Sequence, residues 1–287
     1  MHFPGNHTIG IIGAGHLGRS LAETLVDVGF PKDRLLLSHA GSPATRAAVI
    51  DAGLEKNLIH SKSPDALFSS ARSDNLADNT DLCRRSSVIF ITIPPQAVAS
   101  LDNLTFPRNA LVVSCMAGIP RAVPEQRWGI DVVRMMPGGP DTILRHKGIA
   151  GIFPDNEVLA HILVRMGMQV QVLPDEETMH IFTAGVCFTA AILACRAMGR
   201  NPDNEIAGAV REYPLFTGMY AWAQEVLPGP LSGAERDEYI AKMSTPGGIT
   251  EAVVRSIRSG NPLSAAMQAG IDRSRAISRD AEEKFLQ

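Results

Sequence analysis

Cysteine is scarce: Cys83, Cys115, Cys187 and Cys195 are the only four in a chain of 287 residues. None lies in a CxxC pair or another metal-ligand spacing, and such sparse use in a large chain reads as reduced thiols rather than a disulfide framework. No basic block occurs. The 27 lysines and arginines against 30 aspartates and glutamates leave a net charge of −3, which argues against a nucleic-acid partner. No apolar run has the length of a membrane span, and the first residues lack the basic-then-apolar pattern of a signal peptide. Internal repeats and low-complexity tracts are also missing. These absences leave a soluble cytoplasmic protein as the expectation. The 45% apolar and 20% charged content allows a sizeable core, and the length suits two domains or one large one.

The first half alternates short β-branched runs with helical patterns, the mark of a parallel sheet with crossover helices. Strands are expected at 8–13, 34–38, 88–93, 110–115, 131–136 and, last, 168–173. Helices are expected at 19–29 and at 42–53, the latter opened by Ser42 as N-cap and Pro43 in the first turn. The polar segment 57–78 reads as a loop-rich insertion before the helix that leads to Val88. Beyond Pro174 no strand pattern follows. One long helix is expected at 176–199, apolar nearly all round and therefore buried, then helices at 203–226, 233–243, 248–259 and 262–283. The expected architecture is α/β: a doubly wound, Rossmann-type sheet over 1–174, followed by an all-α domain over 175–287.

The stretch "TIGIIGAGHLGRSLAETL" (8–25) carries Gly13-Ala14-Gly15-His16-Leu17-Gly18 between a strand and a helix. In a dinucleotide cradle Gly13 would permit the sharp turn, Gly15 would let backbone approach a pyrophosphate, and Gly18 would let helix pack on sheet. His16 and Leu17 would present N–H groups at the helix N-terminus. A plain βα turn with no ligand is the other reading; the strand–turn–helix context favours the cradle. About 20 residues on, where an acid would hold the ribose 2′-OH of NAD, stand Ser38 and His39 with no acid nearby. Ser38, His39, Ser42 and Arg46 would suit a 2′-phosphate, so NADP(H) is expected over NAD(H). For Ser42 a plain helix N-cap, and for Arg46 a solvated helix face, are the alternatives.

Ligands on such sheets lie at the carboxyl ends of strands, which points to "TIPPQAV" (92–98), "SCMAGIP" (114–120) and "RMMPGGPDT" (134–142). Ile93, Pro94, Ala117 and Gly118 would shape the nicotinamide end, and Gly138-Gly139 would leave room for substrate or make a turn. In the helical half, "STPGGIT" (244–250) precedes a helix whose N–H groups could bind a carboxylate; a helix–helix turn is the plain alternative. His180, Tyr213 and Tyr220 are the polar candidates for an acid, each set against an ordinary structural role. The small and apolar stretches "AAILACRAM" and "PLSAAMQAGI" suggest a tight interface between copies.

This order of motifs resembles the pyrroline-5-carboxylate reductases over almost the whole chain. The likeness rests on "IGIIGAGHLG", "IPPQAV", "VVSCMAGIP", "RMMPGGP" and "STPGGITEAVVRSIRSGNPLSAAMQAGIDRSRAIS", with Arg273-Ser274 or Arg275 near the end of the last helix. The resemblance implies NAD(P)H-dependent reduction of a cyclic imine, in proline biosynthesis or on a related imine. It also implies a homodimer or higher homo-oligomer in which the partner subunit presents the carboxylate-binding turn. Carried over, Thr245, Gly247, Gly248, Ile249 and Thr250 would hold a small-molecule carboxylate, Ile249 only through its N–H. The departures are Pro94 for the family's lysine, Gly138-Gly139 for its Asn-Thr, and "VCFTAAI" (186–192) for its SGSGPAY stretch. They imply a larger, less polar pocket suited to a bulkier imine. Reduction of another imine or of a keto acid in secondary metabolism, and non-catalytic NADP binding by a dimer, are the competing readings.

Overall fold

The computed structural model describes residues 6–39, 42–59 and 72–286. The chain divides into two compact units, Met1–Val172 with Glu282–Gln287, and Leu173–Ala281.

The first unit is built on a seven-stranded sheet of β1 (Ile9–Ile12), β2 (Leu35–Ser38), β3 (Val88–Ile91), β4 (Leu111–Ser114), β5 (Val132–Pro137), β6 (Ile149–Phe153) and β7 (Gln169–Val172). Their spatial order is β2-β1-β3-β4-β5-β6-β7. The strands through β5 run parallel. The connection to β2 leaves β1 on one side and β3 pairs on the other, so the crossover direction switches at β1. Runs such as Val88-Ile89-Phe90-Ile91 are buried throughout, as expected where both faces of a parallel sheet are covered. The helices are α1 (His16–Asp27), α2 (Pro43–Asp51), α3 (Arg72–Arg85), α4 (Ala122–Trp128), α5 (Pro140–Leu144) and α6 (Glu157–Arg165). Ser42 caps α2 by accepting from Thr45 N at 3.5 Å, with Pro43 at the first helical position.

Several expectations need correction. Strand β6 was hidden because Gly148, Ala150 and Gly151 dilute its β-branched signal. It pairs antiparallel with β5 and parallel with β7, so the sheet is mixed. Helix α1 begins at His16, before the expected Arg19, because the turn itself forms its first residues. Within the segment 57–78, residues 60–71 lie outside the described residues; α3 already begins at Arg72, where a loop was expected.

The second unit consists of α7 (Glu177–Gly185), α8 (Phe188–Ala197), α9 (Ile206–Glu212), α10 (Phe216–Val226), α11 (Gly233–Met243), α12 (Ile249–Arg258) and α13 (Leu263–Phe285), the last four residues of α13 falling in the first unit. The single helix expected over 176–199 is two helices meeting at 44°. A Cβ on Gly185 would lie 2.3 Å from Met219 Sδ of α10, so α10 packs closely against the end of α7. The helix expected over 203–226 is likewise broken: Pro214 has no N–H and forces Tyr213 into an extended conformation. Phe188 is fully buried and meets Phe216 and Tyr220 edge-to-face at 5.1 and 5.3 Å. Among the described residues no single helix is long and apolar enough to cross a membrane. The stretch Ala190–Cys195 and the α13 residues Leu263, Ala266, Met267, Gly270 and Ile271 are buried within one chain. Their apolar character is accounted for by packing within their own unit.

All four cysteines are free and buried. Burial pushes the Cys83 thiol up to about 12 and Cys187 to about 11, so both stay protonated at neutral pH.

Glu205, at the start of α9, ties the turn after α8 to the start of α13. It accepts from Arg200 Nε at 2.8 Å and again from Arg200 Nη2, and from the Leu263 N–H that opens α13 at 2.9 Å. The bond from Arg200, followed by that from Leu263, holds its carboxyl below the usual value of 4.5 despite opposing desolvation. A depressed carboxylate stabilises the fold above its unfolded pKa and loses that contribution as pH falls through the folded one. Glu205→Gln is therefore expected to cost about 1–2 kcal/mol at pH 7. The difference from wild type should shrink once pH drops below 4.5. Urea denaturation at pH 7 and pH 3.5 measures both; a difference that stays constant across that range contradicts the assignment.

Candidate functional site

The carboxyl rim of the parallel strands gathers most of the expected cofactor residues. The register aligns Ser38, Ile12, Ile91 and Ser114 in one row across β2, β1, β3 and β4. The segments 13–18, 38–39, 92–94 and 115–118 all leave from that row.

The three glycines of the first turn differ in what surrounds them. Gly13 has φ +102°, and a Cβ there would lie 2.9 Å from Ile93 Cγ2 and 3.1 Å from Thr92 C and Ile93 N. A Cβ on Gly18 would lie 2.2 Å from Gly13 O and 2.6 Å from Thr92 Oγ1. Around Gly15 a Cβ would meet nothing within 4 Å. Two positions are thus closed by packing, and the middle one opens onto free space. The N–H groups of Gly13 and Ala14 donate to Ser38 O at 3.1 and 2.7 Å. The start of α1 has no side-chain cap and no acid in its first turn. An uncapped helix N-terminus beneath an unobstructed glycine leaves N–H groups free to face an anion. His16, half exposed, lies 3.4 Å from Asp141 Oδ1 of α5; Leu17 packs against the sheet core.

Thr92 was not singled out from the sequence. Its hydroxyl hydrogen faces both Gly13 O at 2.7 Å and Ile12 O at 3.1 Å, which ties the end of β3 to the glycine turn. Ile93 packs on that turn, and Pro94 is exposed beside it. Ala117 and the positive-φ Gly118 form a tight turn after β4. Gly138 N donates to Ile149 O at 2.7 Å, and Gly139 O accepts from the Thr142 hydroxyl at 2.7 Å. The glycine pair therefore closes the β5–β6 ladder and opens α5.

At the end of β2, Ser38 is buried and its hydroxyl donates to Asn79 Oδ1 of α3 at 2.5 Å. That partner lies 41 residues away, beyond the reach of any local sequence signal. Ser42 caps α2 and is exposed. Arg46 Nε is out of contact with water and has no hydrogen-bond partner among the described residues. His39 lies beside these groups in sequence, at the exit from β2.

In the second unit the turn 244–250 joins α11 to α12. Gly247 has φ +70°, and Gly248 N donates to Thr245 O at 2.8 Å. Thr245 is exposed and Ile249 is buried. Thr250 Oγ1 meets Cys187 Sγ at 3.3 Å. Two residues outside the expected set complete the turn: Glu251 Oε2 accepts from Gly247 N at 2.7 Å, and Arg273 Nε donates to Gly247 O at 2.6 Å. The expected acids are engaged within the same unit. His180, buried, lies 2.8 Å from Ser274 Oγ through Nδ1 and 3.9 Å from Glu177 through Nε2. Tyr213 donates to Gln268 at 2.6 Å and Tyr220 to Asp203 at 2.7 Å. Desolvation first, and the Asp203 carboxylate second, push the Tyr220 phenol upward; desolvation does the same to Tyr213.

Residues 8–118 match the family model described as NADP oxidoreductase coenzyme F420-dependent. Over 288 residues the chain is 23% identical to a pyrroline-5-carboxylate reductase of Pisum sativum, covering 95% of this chain and 97% of the relative. Among solved structures, a pyrroline-5-carboxylate reductase of Coxiella burnetii superposes with a TM-score of 0.57 at 16% identity, covering 96% of this chain and 99% of the other. The pyrroline carboxylate reductase of Plasmodium falciparum, solved with NADP bound, gives 0.55 at 17% identity, with 95% and 98% covered. The shared fold is a Rossmann-like, mostly parallel sheet followed by a helical region.

Proposed function

We propose that the chain is a divergent relative of the pyrroline-5-carboxylate reductases, to one of which it is 23% identical over nearly its whole length, and that it reduces a cyclic imine carboxylate, or a related imine, with NADP(H). The observation that carries this reading is the asymmetry of the three glycines, closed at Gly13 and Gly18 and open at Gly15. The residues present fit a dinucleotide: Gly15 with the N–H groups of His16, Leu17 and Gly18 would hold its pyrophosphate. Ile93, Pro94, Ala117 and Gly118 would border its nicotinamide end. Arg46, whose Nε has no partner among the described residues, and His39 and Ser42 would meet a 2′-phosphate. The absence of an acid between Ser38 and Arg46 favours NADP(H) over NAD(H).

When bound, NADPH supplies a hydride to the carbon of a C=N bond, whose π electrons pass to the nitrogen. A protonated iminium is already electrophilic, so the chain's own task is to position it and exclude water. No strong acid is needed, in keeping with the engagement of His180, Tyr213 and Tyr220 in hydrogen bonds of their own unit. The turn from Thr245 to Thr250, with Gly247, Gly248 and Ile249, would hold the substrate's carboxylate, presented from the partner subunit of a homo-oligomer. The proposal extends to a homodimer or larger homo-oligomer, supported by the likeness to those reductases alone.

Calorimetry with NADPH and NADH, joined to NADPH oxidation over a panel of cyclic imines and keto acids, tests the reading. Tighter binding of NADPH and turnover of at least one imine are expected. Turnover confined to keto acids would reassign the reaction, and tight NADPH binding without turnover would make the chain a non-catalytic binder.

A further inference from the structure

The two edges of the sheet are finished differently. Beside β2 the chain covers its own edge: Leu58 bridges to Leu37 in parallel, and the Ile59 N–H donates to Leu37 O at 2.9 Å. At the other end β7 pairs with β6 alone among the described residues. The Gln169 N–H donates to Gly148 O at 2.8 Å. With a period of two, the main-chain groups of Gln169 and Gln171 thus face β6, and those of Val170 and Val172 face outward. A bare edge invites pairing, and proteins commonly blunt one with charge or proline. Met168-Gln169-Val170-Gln171-Val172 has neither. Apolar surface gathers at the same end. Of the four large hydrophobic side chains exposed among the described residues, two are Val172 at 50% and Val164 of α6 at 60%. Val172 shares a face with Val170, which packs on the core that α6 covers. Val164 stands on the flank of α6 away from Arg165, which reaches Val28 O at 3.4 Å at the end of α1. Gln171 carries an amide oxygen shielded from water and without a hydrogen-bond partner.

We infer that β7 is an interface for a second copy of this chain, paired antiparallel across a two-fold axis at Gln171, so that two sheets continue as one. That axis sets Val170 of each copy opposite Val172 of the other, and the outward groups make about four main-chain hydrogen bonds. It sets Gln171 opposite itself on the other face of the sheet, where each amide can donate to the amide oxygen of the other copy. The strand brings no like charges together. Helix α6 runs antiparallel to its copy, so the exposed Glu157 at its start lies toward the basic end at Arg165. Val164 and Val172 are covered from both copies. A two-fold contact requires a surface complementary to itself, and this edge is one, which makes a second copy its occupant rather than an unrelated strand. The inference goes beyond the reaction proposed above and stands whether or not the chain reduces an imine.

Val164→Lys combined with Val172→Lys puts like charges on both sides of the axis, at exposed positions that the fold tolerates. Analytical ultracentrifugation of the full chain reads the outcome. The double variant should have half the mass of the wild-type assembly, through a dissociation constant raised by at least about 100-fold, with an unchanged far-UV circular dichroism spectrum. Cross-linking gives a second readout. Opposed residues of a non-hydrogen-bonded antiparallel pair stand about 4.5 Å apart at Cα, within disulfide reach, and the four native cysteines are buried. Gln171→Cys should therefore give a disulfide-linked dimer on mild oxidation. Gln169→Cys should not, because the axis separates the two copies of residue 169 by about 13 Å or more. A monomeric wild type, an unchanged mass in the lysine variant, or cross-linking at 171 no stronger than at 169 overturns the inference.

Discussion

Valine in place of Gly15 is expected to weaken NADPH binding by at least about 100-fold while leaving the protein folded. The free space around Gly15 accepts a side chain at no steric cost to the protein. The same side chain would fill the volume above the first turn of α1 and hold a pyrophosphate away from its N–H groups. Gly18→Ala should behave in the opposite way. Its Cβ would press on Gly13 O at 2.2 Å and Thr92 Oγ1 at 2.6 Å, so backbone must move, and about 1–3 kcal/mol of stability should go with it. Calorimetric titration with NADPH and urea denaturation of both variants separate a binding surface from a packing contact. Unchanged NADPH affinity in Gly15→Val would refute the cradle.

The second large effect is on stability. Phe188→Ala is expected to cost about 3–5 kcal/mol. The ring is fully buried at the head of α8 and bridges Phe216 and Tyr220 of α10 by two edge-to-face contacts. Truncation removes both contacts and leaves a cavity that helices of fixed backbone cannot fill. A loss of that size is a large share of the roughly 5–15 kcal/mol by which domains are stable. Met198→Ala, at a position 47% exposed on the same stretch of chain, should change stability by less than about 0.5 kcal/mol. Urea melts followed by far-UV circular dichroism give both numbers. A change below about 1 kcal/mol for Phe188→Ala would mean that the aromatic cluster does not hold the helical unit together.

Features with one physical solution could be read directly from the sequence. Val88-Ile89-Phe90-Ile91 is legible because burial on both faces demands an unbroken apolar run. The glycine turn is legible because a positive φ at Gly13 and a near-contact at Gly18 admit no side chain. What escaped depends on distant partners. Strand β6 is assembled from Gly and Ala among isoleucines, and only its neighbours make it a strand. The break after Gly185 has no proline to announce it, and the close packing of Met219 there is visible only in three dimensions. Pro214 did announce the break before α10, yet the apolar periodicity on either side runs across it. In the turn at 244–250, Glu251 looks like an ordinary acid complementing a helix N-terminus. Its reach back to Gly247, and the approach of Arg273 from 26 residues away, exist only in three dimensions.

The reversal of β6 makes the two rims of the sheet separately addressable. Because β6 alone among the strands from β1 to β6 points the other way, the segment that follows it, Pro154–Asn156, leaves from the amino-terminal rim of β4 and β5. There it borders an open groove of about 930 Å³ with Arg108, Arg121 and Asp131. Insertions, labels or sequence drift in that quarter alter the molecule's outer surface without crossing the row of Ser38, Ile12, Ile91 and Ser114. That rim is the place to attach a probe that must leave the glycine turn undisturbed.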